Sequence, residues 1–174
     1  RSAGIRYILI HTLSGNCVLF GVIMKLVAGD PLVHNLAAGP HDLAFWLILL
    51  GFLINAAAVP LHGWLIDGYP AATLTGSVFM SSCTTKVAVY ALLRVFGGME
   101  LLIGVGILMA LYGATFAIME NDMIRLLSYH IVSQVGYMVA GAGIGTLMSF
   151  NGATAHAVCH ILYKSLLFMC CSAL

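Results

Sequence analysis

The sequence predicts an all-α fold, a polytopic transmembrane helix bundle of about six spans. Apolar residues make up 61% of the 174 residues and charged residues only 7%, with a mean hydropathy of +1.04, whereas a soluble domain is about a quarter charged. Apolar stretches near the length of a bilayer crossing recur along the chain, and turn-forming and polar residues cluster in the short intervals between them.

The first span is read from Tyr7 to Val27, with Arg6 at one end and Lys25 near the other, where long side chains can reach the interface. Asp30, Pro31, His34, Asn35, Gly39, Pro40, His41 and Asp42 then form a loop that hydrocarbon would not accept. The second span, Leu43 to Leu65, begins with Trp46 near the interface and is interrupted by Asn55 and Pro60. Proline removes a backbone donor and clashes with the preceding turn, so a break is expected near Val59. Asp67, Gly68, Tyr69 and Pro70 are read as the next turn. The third span runs from Thr73 to Phe96 with Lys86 near its middle, and Gly97-Gly98 turns the chain into the fourth, Leu101 to Met119. Glu120, Asn121, Asp122 and Arg125 form the most polar connection. The fifth span is read from Leu126 to Met148, Ser149, Asn151 and Gly152 as a tight turn, and the sixth from Ala153 to Leu174.

A net charge of +1 gives no reason to expect a nucleic acid or an acidic partner, and no basic run suggests a lipid-headgroup patch. Cys17, Cys83, Cys159, Cys170 and Cys171 all lie in apolar stretches without metal-ligand spacing and read as small buried hydrophobes; no metal is expected. The chain starts at Arg1 without methionine and stops in an apolar run at Leu174, so residues 1–174 are read as one transmembrane domain, incomplete at both ends. Arg1, Arg6 and Arg125 fall on one side, Lys25 and Arg94 on the other, which tilts the orientation towards a cytoplasmic start.

Charged groups inside the spans carry the functional signal. A lysine half way along a membrane helix costs roughly 2.5–3.5 kcal/mol on insertion scales, so Lys86 needs a reason to be there. An amine, unlike a guanidinium, can release its proton, which suits proton transfer; the bland alternative is a permanently paired structural lysine. His156, His160 and Lys164 are spaced i, i+4 and i+8, a stripe roughly 80° wide and about 12 Å long. Imidazole both donates and accepts, so the row can pass a proton stepwise, or else bond neighbouring helices. His130, Ser133, Gln134 and Tyr137 form a second polar face that should point inward, as proton path or as interhelical glue. Glu120 and Asp122 sit beside a helix end, where solvation is the default.

Four stretches resemble one superfamily. They are Pro60-Leu61-His62-Gly63-Trp64-Leu65-Ile66-Asp67-Gly68-Tyr69-Pro70 with Gly76 to Phe79; Thr84-Thr85-Lys86 through Arg94; Asn121-Asp122 through Tyr137; and His156 through Phe168 with Lys164-Ser165-Leu166-Leu167-Phe168. The chain resembles the antiporter-like membrane subunits shared by respiratory complex I and Mrp-type multisubunit Na+/H+ antiporters, covering roughly helices six to eleven of about fourteen. The resemblance implies that Lys86 relays protons between two half-channels and that His156, His160 and Lys164 continue the row. Asn55 stands where many members carry a lysine, which removes a titratable group from the broken helix. Ile66 replaces a proline, Ala71 a glutamate, and His130 a residue that is more often serine in complex I members, which tilts the comparison towards the D-type component of the Mrp antiporters.

The expected function is proton translocation, as part of a cation (Na+)/proton antiporter in the cell (inner) membrane. The alternative is a proton-pumping subunit of an NADH:quinone oxidoreductase or a membrane-bound hydrogenase. Lys86, His156, His160, Lys164 and His130 are the expected carriers, supported by Asn55, His62, Asp67, Glu120, Asp122, Ser133 and Gln134. No cofactor of its own is expected; its partners would be other membrane subunits, protons, sodium and the lipid bilayer. A haem-binding cytochrome using His11, His130, His156 and His160 fits poorly, because histidines four apart on one helix crowd one haem face. Lys86 in mid-span argues against a purely structural subunit.

Overall fold

The computed structural model describes residues 2–29 and 35–172, so Asp30, Pro31 and His34 of the first loop lie outside the described residues. Among the described residues, seven α-helices follow one another: α1 Ser2–Val27, α2 Leu43–Asn55, α3 Gly63–Ala71, α4 Leu74–Val95, α5 Glu100–Met119, α6 Met123–Ile144 and α7 Leu147–Ser172. A short 3-10 turn, Leu36–Ala38, precedes α2. No strand occurs among the described residues. Stretches within α1, α4, α5 and α7 are long and apolar enough to cross a membrane. The 22 residues of α6 have the length, about 33 Å at 1.5 Å per residue, but carry Arg125, His130, Ser133 and Gln134. Helices α2 and α3 together make one broken traverse, so six passes result.

The ends of the passes are fixed by ion pairs and loop bonds. Arg6 at the start of α1 meets Asp67 of α3 at 3.0 Å, and Lys25 at the end of α1 meets Asp42 ahead of α2 at 4.0 Å. Asn35 Nδ2 donates to the Gly97 carbonyl, and Gly98 N–H to that of Ala142. One end of the bundle thus holds Arg6, Asp67 and Glu120, the other Lys25, Asp42 and Gly97-Gly98, as the alternating topology requires.

The break between α2 and α3 begins earlier than proline alone would place it. Ala57 N–H donates to Ile54 O and Ala58 N–H to Leu53 O, the bond pair of a Schellman stop, with Ala57 in the left-handed region at φ 58°. Alanine there costs about 1–2 kcal/mol of backbone strain. Trp64 bridges the gap, its indole N–H donating to Ile54 O at 3.0 Å. Helix α3 then runs through Asp67, Gly68, Tyr69 and Pro70, where the residue types predict a turn. Pro70 falls in the last turn and so forfeits one bond only, while Trp64, Leu65, Ile66, Gly68 and Tyr69 are buried and hold the segment helical. The chain turns instead at Ala72-Thr73, where Thr73 Oγ1 caps α4 by accepting from Gly76 N–H.

A second turn also moves. Ser149, Asn151 and Gly152 lie inside α7, and the chain reverses at Gly145, whose φ of +71° supplies the left-handed cap that ends α6. Thr146 Oγ1 accepts from Ser149 N–H at 3.2 Å, and Ser149 Oγ donates to the Gly141 carbonyl, so a serine with turn chemistry joins two helices.

The most extensive helix pair is α5 with α6. Gly106, Ala110, Gly113 and Ala117 share one stripe of α5 and are all buried. They meet Ser133, Gly136 and Ala140 on α6 so closely that a Cβ on Gly136 would lie 2.6 Å from Ala110 N and 2.7 Å from Gly106 O. In lipid, where apolar surface gains nothing by leaving one oily phase for another, such backbone approach is what holds helices together. Gly136→Leu is therefore expected to cost roughly 1–3 kcal/mol or to block bundle assembly. Gly104→Leu, with nothing within 4 Å of the added Cβ, should be neutral; thermal unfolding in detergent compares the two.

Candidate functional site

Helix α4 touches α2, α3, α6 and α7, and Ser77, Ser81, Thr85 and Lys86 are its buried polar residues. The sequence fits the position: Ala88, Val89 and Leu92 continue the buried surface, while Phe79, Val87 and Tyr90 are exposed. Lys86 is 7% exposed and its ammonium donates to the Ser81 carbonyl at 2.5 Å. Lys164, 0% exposed on α7, donates to the Leu127 carbonyl of α6 at 3.0 Å and stands 5.9 Å from the Phe168 ring centroid. His160, also fully buried, has no hydrogen-bond partner on either ring nitrogen. It lies within electrostatic range of Lys86, Lys164, His156 and His130. Ser82 Oγ and Ser165 Oγ, 2.7 Å apart, fasten α4 to α7 beside this cluster.

Of the sequence candidates, Lys86, His160 and Lys164 are thus brought together by α4 against α7, with His156 half-buried at the edge of the row. Among the described residues, the ion pairs are Arg6–Asp67, Lys25–Asp42 and Arg125–Glu120, all near helix ends, and no carboxylate reaches either interior lysine. Two amines held in one low-dielectric interior without an acid repel when both are charged, so the proton on one and the proton on the other are coupled.

The second polar face divides instead of converging. Ser133 Oγ turns towards α5 and donates to Ala110 O at 3.0 Å, and Gln134 Oε1 accepts from Tyr163 of α7 at 3.4 Å. Tyr137 is exposed, contrary to the inward placement expected, because the close α5–α6 contact fills that interior with glycine and alanine. Two open cavities flank α6 and share Tyr137. One, about 370 Å³, includes Ala117, Leu126 and His130; the other, about 390 Å³, includes Ile144, Gly152 and His156. They extend towards opposite ends of the bundle. His130 Nδ1 and His156 Nε2 are both buried without a partner.

Around the break, the Asn55 amide oxygen is buried and unpaired. His62 is buried, its Nε2 3.1 Å from the Tyr112 hydroxyl of α5. Asp67 pairs with Arg6 near an end of the bundle and is partly exposed, whereas His62 beside the same break is buried. Glu120 faces Arg125 at 3.9 Å. Asp122 caps α6, Oδ1 accepting from Ile124 and Arg125 N–H at 2.8 and 3.3 Å. Sequence reasoning missed Tyr112 as the partner of His62, and missed that Tyr7 and His11 of α1 stack on each other and lie edge-on to Trp64. The i, i+4 spacing of Tyr7 and His11 was a usable signal; their meeting with Trp64 depends on helix packing.

Residues 1–174 match the family described as NADH:quinone oxidoreductase/Mrp antiporter, TM. The NADH-quinone oxidoreductase subunit N of Desulforudis audaxviator is 32% identical over 95% of this chain and 34% of its own length. The D component of the Na(+)/H(+) antiporter of Alkalihalophilus pseudofirmus is 35% identical over 71% of this chain and 27% of its own. A chain of the Mrp complex from Dietzia sp. DQ12-45-1b superposes with a TM-score of 0.88 at 28% identity, covering 96% of this chain and 34% of that one. The chain spans about a quarter to a third of the length of these curated relatives.

The cap geometry gives Asp122 a structural role that can be measured by itself. Asp122→Ala is expected to lower stability by about 1 kcal/mol, the usual cost of a lost N-cap, read as a lower unfolding midpoint in detergent.

Proposed function

This chain belongs to the NADH:quinone oxidoreductase/Mrp antiporter transmembrane family, and we propose that residues 1–174 form one proton-translocating domain of a longer membrane subunit. The observation that carries the reading is the buried cluster of Lys86, His160 and Lys164 with no carboxylate in reach among the described residues. Burying two amines is costly, and a transport role for them supplies the reason that a packing role lacks. An ammonium at Lys86 can give its proton to a neutral imidazole or through water, and Lys164 can then take one up. His160 stands where a group able both to donate and to accept is needed. His130 and His156 line the flanking cavities towards opposite ends of the bundle, which suits them as the outer members of the row. Asn55, His62, Ser133 and Gln134 support it by hydrogen bonding, and Asp67 and Glu120 stand nearer the bundle end.

We assign the subunit to a cation/proton antiporter of the cell membrane, working with other membrane subunits and exchanging protons for sodium. The similarity to the D component of a Na(+)/H(+) antiporter and to a Mrp complex supports this assignment. The second reading, a proton-pumping subunit of a quinone-reducing or hydrogenase complex, is supported by the 32% identity to a subunit N over 95% of the chain. Flavin or iron-sulfur absorbance in the purified native assembly selects the second reading, and its absence alongside sodium-dependent ΔpH dissipation selects the first.

The protonation cycle itself is tested at Lys86. Lys86→Arg keeps the charge but holds its proton at any working pH, so ΔpH-driven exchange should fall by at least about 10², the scale of a lost proton carrier, with assembly intact. His160→Ala should slow exchange without affecting membrane insertion. Wild-type exchange in Lys86→Arg would leave the lysine a fixed electrostatic role.

A further inference from the structure

Helices α1 and α2 pack antiparallel through two glycines. Ala44 and Ile48 flank Gly21, and Ser14 and Val18 flank Gly51, with Ser14 Oγ donating to Gly51 O at 2.8 Å. One turn beyond Ser14, this register brings His11 level with Asn55, the last residue of α2 and the edge of the break. A second contact agrees: the His11 ring lies edge-on to Trp64, 4.5 Å between centroids, and Trp64 bonds the carbonyl of Ile54, Asn55's neighbour.

At this level two polar atoms are buried without partners, His11 Nε2 and Asn55 Oδ1. His11 Nδ1 lies 3.0 Å from the Tyr7 carbonyl, an acceptor, so Nδ1 carries the hydrogen and donates it. The neutral ring then presents Nε2 as a bare acceptor. Both orphans therefore need a donor, and one water molecule, with two O–H groups, can donate to both. Tyr7, stacked 4.1 Å from the His11 ring, and Trp64 set the plane of the imidazole.

We propose that His11 is a proton-carrying residue of the helix break, taking a proton on Nε2 and returning it through water held between that nitrogen and the Asn55 amide oxygen. The step balances: a proton from the water chain forms Nε2–H, and the same bond breaks when the proton passes on. Asn55 orients the water and carries no proton. The titratable and charged groups around His11 are Tyr7 and Arg6 on α1, Asp67 and Tyr69 on α3, and His62 in the break, while α2 has none. Arg6 and Asp67 are engaged with each other, Tyr69 OH is bound to the Met80 carbonyl, and His62, whose Nδ1 has no partner, is tied through Nε2 to Tyr112 of α5. His11 is therefore the group facing Asn55 from α1 that is free to accept a proton.

This inference rests on the proton-transfer reading above, and the two can fail separately. The test uses the full-length subunit in its native assembly, reconstituted in vesicles. His11→Gln keeps a planar polar group but cannot carry a proton; it is expected to slow ΔpH-driven exchange at least about tenfold and to displace one limb of the pH–rate profile. Asn55→His added to His11→Gln should recover exchange by returning an imidazole to the same level of the break. A wild-type rate and profile in His11→Gln overturns the assignment of His11, while loss of exchange in Lys86→Arg in the same preparation leaves the proton-transfer reading standing. If neither His11→Gln nor His11→Asn assembles, the ring is a packing element between Tyr7 and Trp64 and the proposal falls.

Discussion

Hydrocarbon offers no hydrogen-bond partner, and the architecture of this bundle follows from satisfying its polar groups internally. The break between α2 and α3 is where that constraint presses hardest. The Schellman bonds from Ala57 and Ala58, the Ala58 carbonyl taken by Leu61 N–H at 2.6 Å, and the Trp64 indole on Ile54 O together occupy the groups that the broken helix releases. The two buried lysines obey the same rule by another route. Each directs its ammonium to a backbone carbonyl, Ser81 O for Lys86 and Leu127 O for Lys164, since no carboxylate among the described residues is in reach. A carbonyl dipole compensates an ammonium less completely than a carboxylate would, which suits the exchangeable proton proposed for both lysines.

Close helix packing makes this interior possible. Gly106, Gly113 and Gly136 let α5 and α6 touch backbone to backbone, and Gly21 and Gly51 do the same for α1 and α2. Rigid pairs of this kind hold a buried side chain at a defined depth, so Ser14, Ser133 and His11 face fixed partners. What they leave unmatched is informative. Among the described residues, the buried side-chain nitrogens and oxygens without partners, on His11, Asn55, His62, Thr85, His130, His156 and His160, fall in two places, the break and the cluster where α4, α6 and α7 meet. Both lie where a proton carrier would need to exchange partners, and a group already satisfied on every side could not do so.

Legibility in the sequence varied with the kind of residue. The span with Lys86 at its middle was readable almost to the residue, Thr73 to Phe96 against α4 Leu74–Val95, because a threonine cap and a glycine pair bracket an apolar run. The two misplaced turns share one cause. Asp67-Gly68-Tyr69-Pro70 and Ser149-Asn151-Gly152 have turn chemistry, but burial of Trp64, Leu65 and Tyr69 overrides it in the first, and Gly145 with its left-handed backbone pre-empts the second. Helix spacing placed His156, His160 and Lys164 on one stripe, and the structure accordingly buries two and half-buries the third. The same spacing misjudged Tyr137, because a helix with neighbours on several sides has more than one inward face.

By itself the sequence determined that this chain lives in a membrane as an all-α bundle, how many passes it makes and roughly where each runs, and that charges stand inside them. Hydropathy and helical period are local properties, and they suffice for that. Only the tertiary structure decided that Lys86 and Lys164 share one interior, that Tyr112 serves His62, and that His11 comes level with Asn55. Those meetings join residues tens of positions apart, and they are set by the register of packed helix pairs, which glycines and ion pairs fix in three dimensions and no periodicity along one helix records.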